Sequence, residues 1–275
     1  MKSGVGKYRI ESVARAAELL CAFLQPPHRF GVTELSNAAG LTKNQTFRIL
    51  QTLIPLGFVV QDPETKAYRL GPRLISLAAV AVHGSSLVHV AGPVLDQLAE
   101  QTGETVILTA RLDPYSAICV DKRESTRTLA ITARVGAEFA LHAGATPKLL
   151  LAFSSPEHIE AYLRDRAPLT RFTERTITDP AQLKATLAEI RRQGYVVSVE
   201  ELDRGVCSIA APIRDHTGEV VAGVSVAAPT IRQGPDARLA TIEAVVWAGR
   251  EISRRLAEHA LGHLGAVPTE GSHVR

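Results

Sequence analysis

The stretch Leu41–Leu50, LTKNQTFRIL, decides the fold of the first part of the chain, because its spacing is that of an amphipathic helix. At about 100° per residue, Phe47, Leu50 and Ile54 fall on one side, where Leu53 flanks them. These four residues are therefore predicted to face a core. The opposite side carries the polar residues Asn44, Gln45, Arg48, Gln51 and Thr52.

The start and the charge of this helix support the same prediction. Thr42 can cap the first turn, and Gln45, three residues later, completes a capping box. No acidic residue occurs between Gly40 and Gln61, whereas a solvated helix face usually pairs Glu with Lys. A solvated face is the alternative interpretation, but amides and guanidinium groups are the side chains that contact base edges and phosphates.

Two shorter helices are predicted before this one, and a hairpin after it. Ser12 is expected to cap the first helix, whose apolar positions are Val13, Ala17, Leu20 and Leu24. Thr33 is expected to cap a second helix that runs through Ala39, with Gly40 at the position after its end. The β-rich runs FVVQD and AYRL then flank PETK. Three helices followed by a hairpin is the order of a winged helix-turn-helix domain.

In such a domain the second helix of the helix-turn-helix pair enters the major groove of DNA. The candidate DNA-contacting residues are Lys43, Asn44, Gln45, Thr46, Arg48 and Thr52 on the helix, with Lys66 and Arg69 on the hairpin. Residues 1–71 hold nine Lys or Arg and five Asp or Glu, whereas the other 204 residues hold 22 and 23. The basic excess favours double-stranded DNA as the partner. A winged helix used for protein contacts is the alternative.

The composition predicts an ordinary globular protein with two domains. The 275 residues are 45% hydrophobic and 21% charged. The three cysteines, Cys21, Cys119 and Cys207, have no spacing typical of a metal site or a disulfide framework, so we expect a cytoplasmic protein with no metal and no cofactor. The most apolar window, Leu74–Val82, is too short to span a membrane. It predicts a helix that packs against a partner chain or the second domain, and hence at least a dimer.

The second half of the sequence predicts an α+β domain built on an antiparallel or mixed sheet. The expected strands are TVILTARLD, SAICVDKRE, RTLAITARV, YVVSVEE, CSIAAPIRD and EVVAGVSVAA. A helix is expected to begin in Lys148–Phe153, another to span Pro180–Gln193 and end at Gly194, and a long one to close the domain at Asp236–Leu261. The turn HTGE should join the last two strands as a hairpin.

Enzyme motifs in this half lack the structural context that catalysis requires. Gly223–Ala227, GVSVA, resembles a nucleophile elbow but lies inside a β run with no helix after it. Cys207 and His142 could form a nucleophile–base pair, but a buried strand cysteine is the simpler interpretation. We therefore predict that the protein is not an enzyme, and a hydrolase-like enzyme remains the alternative.

Several separate motifs in register resemble the IclR family of transcriptional regulators. They include TELSNAAGLTKNQTFRILQTLIPLGFVVQDPETKAYRLGPRL, TGETVILTARLD, VGAEFALHAGATPKLLLAF and RRQGYVVSVEELDRGVCSIAAPIRDHTGEVVAGVSVAAPT, and the resemblance covers residues 10–258. It implies a winged helix-turn-helix domain at residues 1–71, a linker helix at 72–84 and a GAF-like mixed α/β effector-binding domain at 85–260. Residues 261–275 are expected to be a disordered tail. The resemblance also implies a homodimer or homotetramer that responds to a small organic or aromatic acid.

The same resemblance supplies the candidate effector-binding residues, which are Ala145, Thr146, Ser198, Val206, Ser208, Ser225 and Ala227. Their hydroxyl groups are expected to form a neutral cradle for a carboxylate. Pro147 departs from the family pattern, which has Gly at that place, so the loop is expected to have a different shape. The alternative is that these serines bond to strand backbone and that side chains fill the interior.

Overall fold

A computed structural model describes residues 8–83 and 86–264 of the chain. The chain divides into two units, residues 1–84 and residues 85–275. Each unit has its own hydrophobic core, and each is described by itself.

The first unit is a winged helix-turn-helix followed by one more helix. Its elements are α1 (Glu11–Ala22), α2 (Val32–Ala38), α3 (Lys43–Leu53), β1 (Val59–Gln61), β2 (Tyr68–Leu70) and α4 (Arg73–His83). Strands β1 and β2 are antiparallel, and Phe30 adds a bridge to Tyr68. The core consists mainly of Leu19, Phe23, Leu35, Leu50, Val59 and Tyr68.

The predicted beginning of α3 is confirmed. Thr42 Oγ1 accepts a hydrogen bond from the Gln45 N–H at 3.3 Å, and the Gln45 side-chain oxygen accepts from the Thr42 N–H at 3.1 Å. Gly40 has φ +64°, a conformation that lets the chain turn sharply between α2 and α3. The capping box therefore fixes where the helix begins.

The predicted caps of the first two helices were wrong. Helix α1 begins before Ser12 and has no side-chain cap, and α2 begins before Thr33, with the Gly31 N–H donating to the Glu34 carboxylate at 2.9 Å. A helix can start without a Ser or Thr cap when another group satisfies its first N–H donors.

The predicted core face of α1 was also wrong. Leu19, Ala22 and Phe23 are buried, whereas Val13 is 62% exposed and Leu24 is 44% exposed. Two apolar stripes lie on this helix, and periodicity alone does not tell which one meets the core.

The second unit is one six-stranded sheet with helices on both faces. Its helices are α5 (Ser86–Thr102), α6 (Ala145–Ala152), α7 (Pro156–Asp165), α8 (Pro180–Gln193) and α9 (Pro235–Leu264). Its strands are β3 (Thr105–Arg111), β4 (Ser116–Arg123), β5 (Glu138–Ala140), β6 (Val196–Val199), β7 (Val206–Arg214) and β8 (Val220–Pro229). The order across the sheet is β5-β4-β3-β8-β7-β6, and all neighbours are antiparallel. The unit is therefore α+β, as predicted.

Two separate cores hold the helices on the sheet. Helices α5 and α9 pack on one face through residues that include Leu95, Leu98, Val224, Val245 and Ile252. Helices α6, α7 and α8 pack on the other core, which includes Leu149, Tyr162, Leu187 and Ala210. Residues of α6, β7 and β8 from this second layer also surround the cavity described below.

The segment RTLAITARV was predicted to be a strand, and this was wrong. Residues 124–137 are irregular, and the strand β5 follows them. Side chains bond to the middle of this segment: the Thr105 hydroxyl donates to the Ile131 carbonyl at 2.5 Å, and Lys122 Nζ donates to the Ala133 carbonyl at 2.7 Å. Its end, at Gly136 and Ala137, bonds to the Cys119 backbone of β4. A β-rich composition does not reveal such partners.

Helix ends in the second unit match the sequence prediction only in part. Helix α8 ends at Gly194, with φ +78°, as predicted, and Gly218 turns the β7–β8 hairpin. Helix α7 was missed, although Ser155 caps it and Pro156 opens it. Helix α9 continues through residue 264, so the expected disordered tail is helical at residues 261–264, and residues 265–275 lie outside the described residues.

Candidate DNA face and effector cavity

Most of the predicted DNA-contacting residues are exposed in the first unit. Lys43, Asn44, Arg48 and Thr52 are exposed on α3, and Gln45 is half-buried. The β1–β2 hairpin, called the wing below, exposes Lys66 and Arg69. The exposed side chains are amides, hydroxyls and cations, which suit base edges and phosphates.

Thr46 does not belong to this face, and its assignment as a DNA contact was wrong. Its side chain is fully buried and Oγ1 has no hydrogen-bond partner in the described part of the chain, whereas Phe47 is 49% exposed. Helix α3 meets the core through Thr46, Leu50 and Leu53. The helix is thus rotated by about one residue from the prediction, because local packing placed the small Thr46 inward.

Gln45 also takes part in the capping box, which limits the hydrogen bonds that its side chain can make to DNA. Its side-chain oxygen accepts from the Thr42 N–H in the capping box. Its amide N–H groups remain as donors, while Arg48 and Asn44 keep their whole polar groups for external contacts.

A tight turn presents Lys66 at the tip of the wing. Asp62 Oδ1 accepts from the N–H groups of Glu64 at 3.0 Å and Thr65 at 2.9 Å, and these bonds lower the pKa of Asp62. Lys66 itself has φ +58°, a left-handed conformation that reverses the chain. The ammonium group therefore lies on a rigid projection, which suits a phosphate contact.

The second unit contains a cavity of about 370 Å³ beside the central strands. All seven residues predicted to bind an effector line it: Ala145, Thr146, Ser198, Val206, Ser208, Ser225 and Ala227. Residues of β3, of the irregular segment 131–137 and of the loop after β6 complete its walls. The size is typical of a site for a small organic molecule.

Strand register explains why the serines meet. Ser198 pairs with Ser208, and Ser208 pairs with Ala227, so these residues form one row across β6, β7 and β8. Ser225 pairs with Ala210 in the next row on the same face. Residues two apart in a strand share a face, so Ser225 and Ala227 point the same way.

The hydroxyl groups in the cavity are free to bind a ligand. No hydrogen bond joins the side chains of Ser198, Ser208 or Ser225 to any other described residue. Thr146 Oγ1 is buried and also has no partner in the described part of the chain. The described residues therefore show no bond from these serines to strand backbone, and the interior beside them is a cavity.

The first turn of α6 lies close against the sheet at this cavity. Gly144, with φ +83°, precedes the helix, and all of α6 is buried. A Cβ at Gly223 would lie 2.5 Å from Thr146 Cγ2, so only glycine allows this approach. Pro147 occupies the first turn, where a helix needs no N–H donor of its own.

Charged groups make the cavity less neutral than expected, and sequence reasoning missed them. Arg134, Glu201 and Asp203 line it. Glu201 Oε1 accepts from the buried Lys148 ammonium at 2.5 Å. Burial lowers the pKa of Lys148, and the Glu201 carboxylate opposes that shift. The acidic run after β6, EELD, was the signal available in the sequence.

The residues considered for catalysis are not activated. Ser225 lies in the middle of β8 rather than in a strand–turn–helix elbow. Burial raises the pKa of the Cys207 thiol, the opposite of what a nucleophile requires. His142 bonds to the Tyr162 hydroxyl and to the Thr170 carbonyl, each at 2.8 Å, and burial lowers its pKa.

Neither a metal site nor a membrane span is seen in residues 8–83 and 86–264. Within those ranges no three His, Cys, Asp or Glu side chains gather closely enough to hold a metal ion. The helices there are too short or too polar to cross a bilayer.

Two family models match the chain. The model of the IclR helix-turn-helix domain matches residues 12–63, and the model of the bacterial transcriptional regulator IclR C-terminal domain matches residues 79–254. The first contains the helix-turn-helix pair and the first strand of the wing, and the second contains the whole cavity lining.

Similar proteins match most of the length of the chain. The HTH-type regulator BhcR of Paracoccus denitrificans is 37% identical over 81% of this chain and 79% of its own length. The HTH-type regulator KdgR of Escherichia coli is 33% identical over 91% of this chain and 94% of its own length.

Two solved structures show that the similarity extends to the fold. An IclR transcriptional regulator from Alicyclobacillus acidocaldarius has a TM-score of 0.82 and 28% identity, covering 91% of this chain and 100% of its own. An IclR homologue from Microbacterium hydrocarbonoxydans, solved with 4-hydroxybenzoate, has a TM-score of 0.76 and 26% identity, covering 89% of this chain and 98% of its own. Winged helix, six-stranded unit and both family models agree, and the chain therefore belongs to the IclR family of bacterial transcriptional regulators.

Proposed function

We propose that the chain binds double-stranded DNA through α3 and the wing, and that a small organic acid in the cavity regulates this binding. The observation that carries the proposal is the convergence of seven residues, from α6, β6, β7 and β8, on one cavity whose hydroxyl groups have no protein partner. A packed domain without a ligand would leave such groups hydrogen-bonded.

Different residues of the DNA face contact base edges and phosphates. Arg48 and Asn44 are exposed side chains that can make bidentate contacts to guanine and adenine in the major groove. Lys43 in the first turn of α3 and Lys66 at the wing tip supply cations to phosphates on either side. Arg69 adds a third cation to the wing face.

The cavity offers several donors to an acid. Ser208, Ser225 and Thr146 present hydroxyl groups, and α6 begins at the cavity wall, where helix N-termini favour negative charge. Arg134 adds an exposed guanidinium that forms no ion pair with the residues the structure describes. The Microbacterium relative was solved with 4-hydroxybenzoate, which supports an acid of similar size.

The active form is a homodimer or homotetramer in the bacterial cytoplasm. Ile75, Leu77 and Val80 on α4 are 73%, 50% and 74% exposed, an apolar run that a second chain would cover. A dimer also places two α3 helices on one DNA site, which raises affinity for operators with two half-sites.

The cavity assignment is tested by thermal shift on the full chain with a panel of organic acids that includes 4-hydroxybenzoate. A bound acid raises the melting temperature. The variant Ser208→Ala/Ser225→Ala is expected to lose that response while keeping its own melting temperature, and the exposed Ser12→Ala is the control. An unchanged response in the double variant would place the acid elsewhere.

A further inference from the structure

We propose that the cavity selects acids that also carry a hydroxyl group, and that Glu201 is the residue that recognises this hydroxyl. The proposal rests on the proposed acid-binding function and specifies the class of ligand. It starts from a single atom, Glu201 Oε2, which lies buried in the cavity wall without a hydrogen-bond partner in the described part of the chain.

The two oxygens of Glu201 have different surroundings. Oε1 accepts from the Lys148 ammonium at 2.5 Å, and both side chains are at least nine-tenths buried. Oε2 accepts from no donor among the described residues. A buried carboxylate oxygen that lacks a donor is costly, so a site that keeps one has a donor supplied from outside the protein.

Neighbouring contacts prevent the carboxylate from turning away. The Thr176 hydroxyl donates to the Glu201 carbonyl at 2.7 Å, and the Thr173 hydroxyl donates to the Glu200 carbonyl at 2.5 Å. Both threonines are buried. The backbone of Glu201 is therefore held by the two threonines, and its Oε1 is held by Lys148.

An ionised carboxylate accepts hydrogen bonds and donates none. An acid that carries only a carboxylate brings two more acceptors and leaves Oε2 unpaired. A hydroxyl group supplies the missing donor. Thr146 Oγ1, the second buried atom without a partner, can donate or accept and so suits either end of such a ligand.

The charges in the wall give the ligand a direction. Arg134 and the serine hydroxyls attract a carboxylate, whereas Glu201 and Asp203 repel one. A hydroxy acid satisfies both parts, with its carboxylate toward the donors and its hydroxyl toward Glu201. A plain dicarboxylate of similar size places its second charge against Glu201 and is rejected.

The test uses matched pairs of acids and the full chain. Isothermal titration calorimetry compares 4-hydroxybenzoate with benzoate and para-fluorobenzoate, and glycerate with propionate. In wild type, the hydroxylated member of at least one set is expected to bind about tenfold or more tightly than its partners, the effect of leaving one buried group unpaired. Fluorine matches the size of a hydroxyl but cannot donate.

Glu201→Gln should reduce that ratio to about threefold or less, because the bond between a neutral amide and the ligand hydroxyl is about half as strong as the bond that an ionised carboxylate accepts. The control is Glu243→Gln, which removes an exposed carboxylate outside the cavity lining and should keep the ratio. If Glu201→Gln does not fold, Lys148→Met/Glu201→Gln removes both charges of the buried pair together and replaces it in the test.

The outcomes separate the two proposals. If hydroxylated and plain acids bind equally, or if Glu201→Gln keeps the preference, the role of Glu201 is wrong and the acid-binding cavity stands. If none of these acids binds, the acid-binding function falls and the inference falls with it.

Discussion

The Thr46 hydroxyl is buried in the core of the winged helix without a hydrogen-bond partner in the described chain. Thr46→Val removes this group and keeps the shape of the side chain. We expect the free energy of unfolding to rise by about 1 kcal/mol in urea titrations, because an unsatisfied buried hydroxyl costs about that much or more. Affinity for DNA should not change. If the variant loses DNA affinity while its stability is unchanged, Thr46 contacts DNA and this prediction is wrong.

Arg48 and Lys66 are expected to differ in how they act on DNA. Arg48→Ala should cost about 1–3 kcal/mol at one base position and blur the preference there. Lys66→Ala should weaken binding to all sequences alike and reduce the salt slope by about 1. Affinities measured for operator and random duplexes across salt concentrations check both. Equal losses on both duplexes for Arg48→Ala would exclude base reading.

His142 should make the stability depend on pH. Burial lowers its pKa below 6.5, so between the two pKa values the unfolded chain binds a proton that the native chain does not. The sign follows from linkage: stability falls as pH drops through 6.5 and levels off below the folded pKa, with a slope of at most about 1.4 kcal/mol per pH unit.

The comparison of wild type with His142→Gln isolates this contribution. Glutamine keeps a donor for the Thr170 carbonyl and does not titrate. Urea unfolding at neutral and mildly acid pH should therefore show that the free energy of unfolding falls less at acid pH in the variant than in wild type. An equal loss in both proteins would mean that His142 does not carry the effect.

Single residues also show what the sequence could and could not predict. The capping box of Thr42 and Gln45 is local, and it was predicted correctly. The inward position of Thr46 and the outward position of Phe47 depend on neighbouring helices, so hydrophobicity alone gave the wrong face. Glu201 joins the cavity through its pairing with Lys148, 53 residues away, which no local pattern reveals.

At the scale of elements, helices α1 and α4 are among those that leave apolar side chains exposed. Val13 on α1 is 62% exposed and Val80 on α4 is 74% exposed. We expect Val80→Glu to convert the oligomer to smaller species at micromolar concentration, measured by light scattering, because a charge would then lie in the interface. Gln101→Glu, on the exposed end of α5, is the control. A monomeric wild type would contradict the prediction.

The contact between α6 and β8 is a second element-level test. Gly223→Ala places a Cβ 2.5 Å from Thr146 Cγ2 and should lower the free energy of unfolding by about 1–3 kcal/mol through overpacking. Thr146→Ser removes that methyl group, so the pair Gly223→Ala/Thr146→Ser should recover much of the loss in urea titrations. No recovery would mean that the strain lies elsewhere.

Elements defined by local signals were predictable, and those defined by distant partners were not. The β7–β8 hairpin and the end of α8 follow from glycines with positive φ. Residues 127–135 look like a strand in composition, but hydroxyl and ammonium groups from β3 and β4 bond to their carbonyls at Ile131 and Ala133. The position of the cavity wall therefore could not be predicted from the sequence and is known only from the structure.

At the scale of the whole molecule, the DNA face and the cavity lie in different units of one chain. If an acid in the cavity changes DNA affinity by some factor, DNA must change acid affinity by the same factor. Such coupling factors are typically about 5–150. This reciprocity distinguishes regulation from two independent binding activities.

The most direct test of the account measures how the acid changes DNA affinity and how DNA changes acid affinity. It uses one operator duplex, selected by the protein from random DNA, and one acid that stabilises the full chain. Operator affinity is measured with and without saturating acid, and acid affinity with and without operator, in wild type and in Ser208→Ala/Ser225→Ala. The account predicts equal factors in wild type and a factor of about one in the variant. An operator affinity that does not change at saturating acid would contradict it.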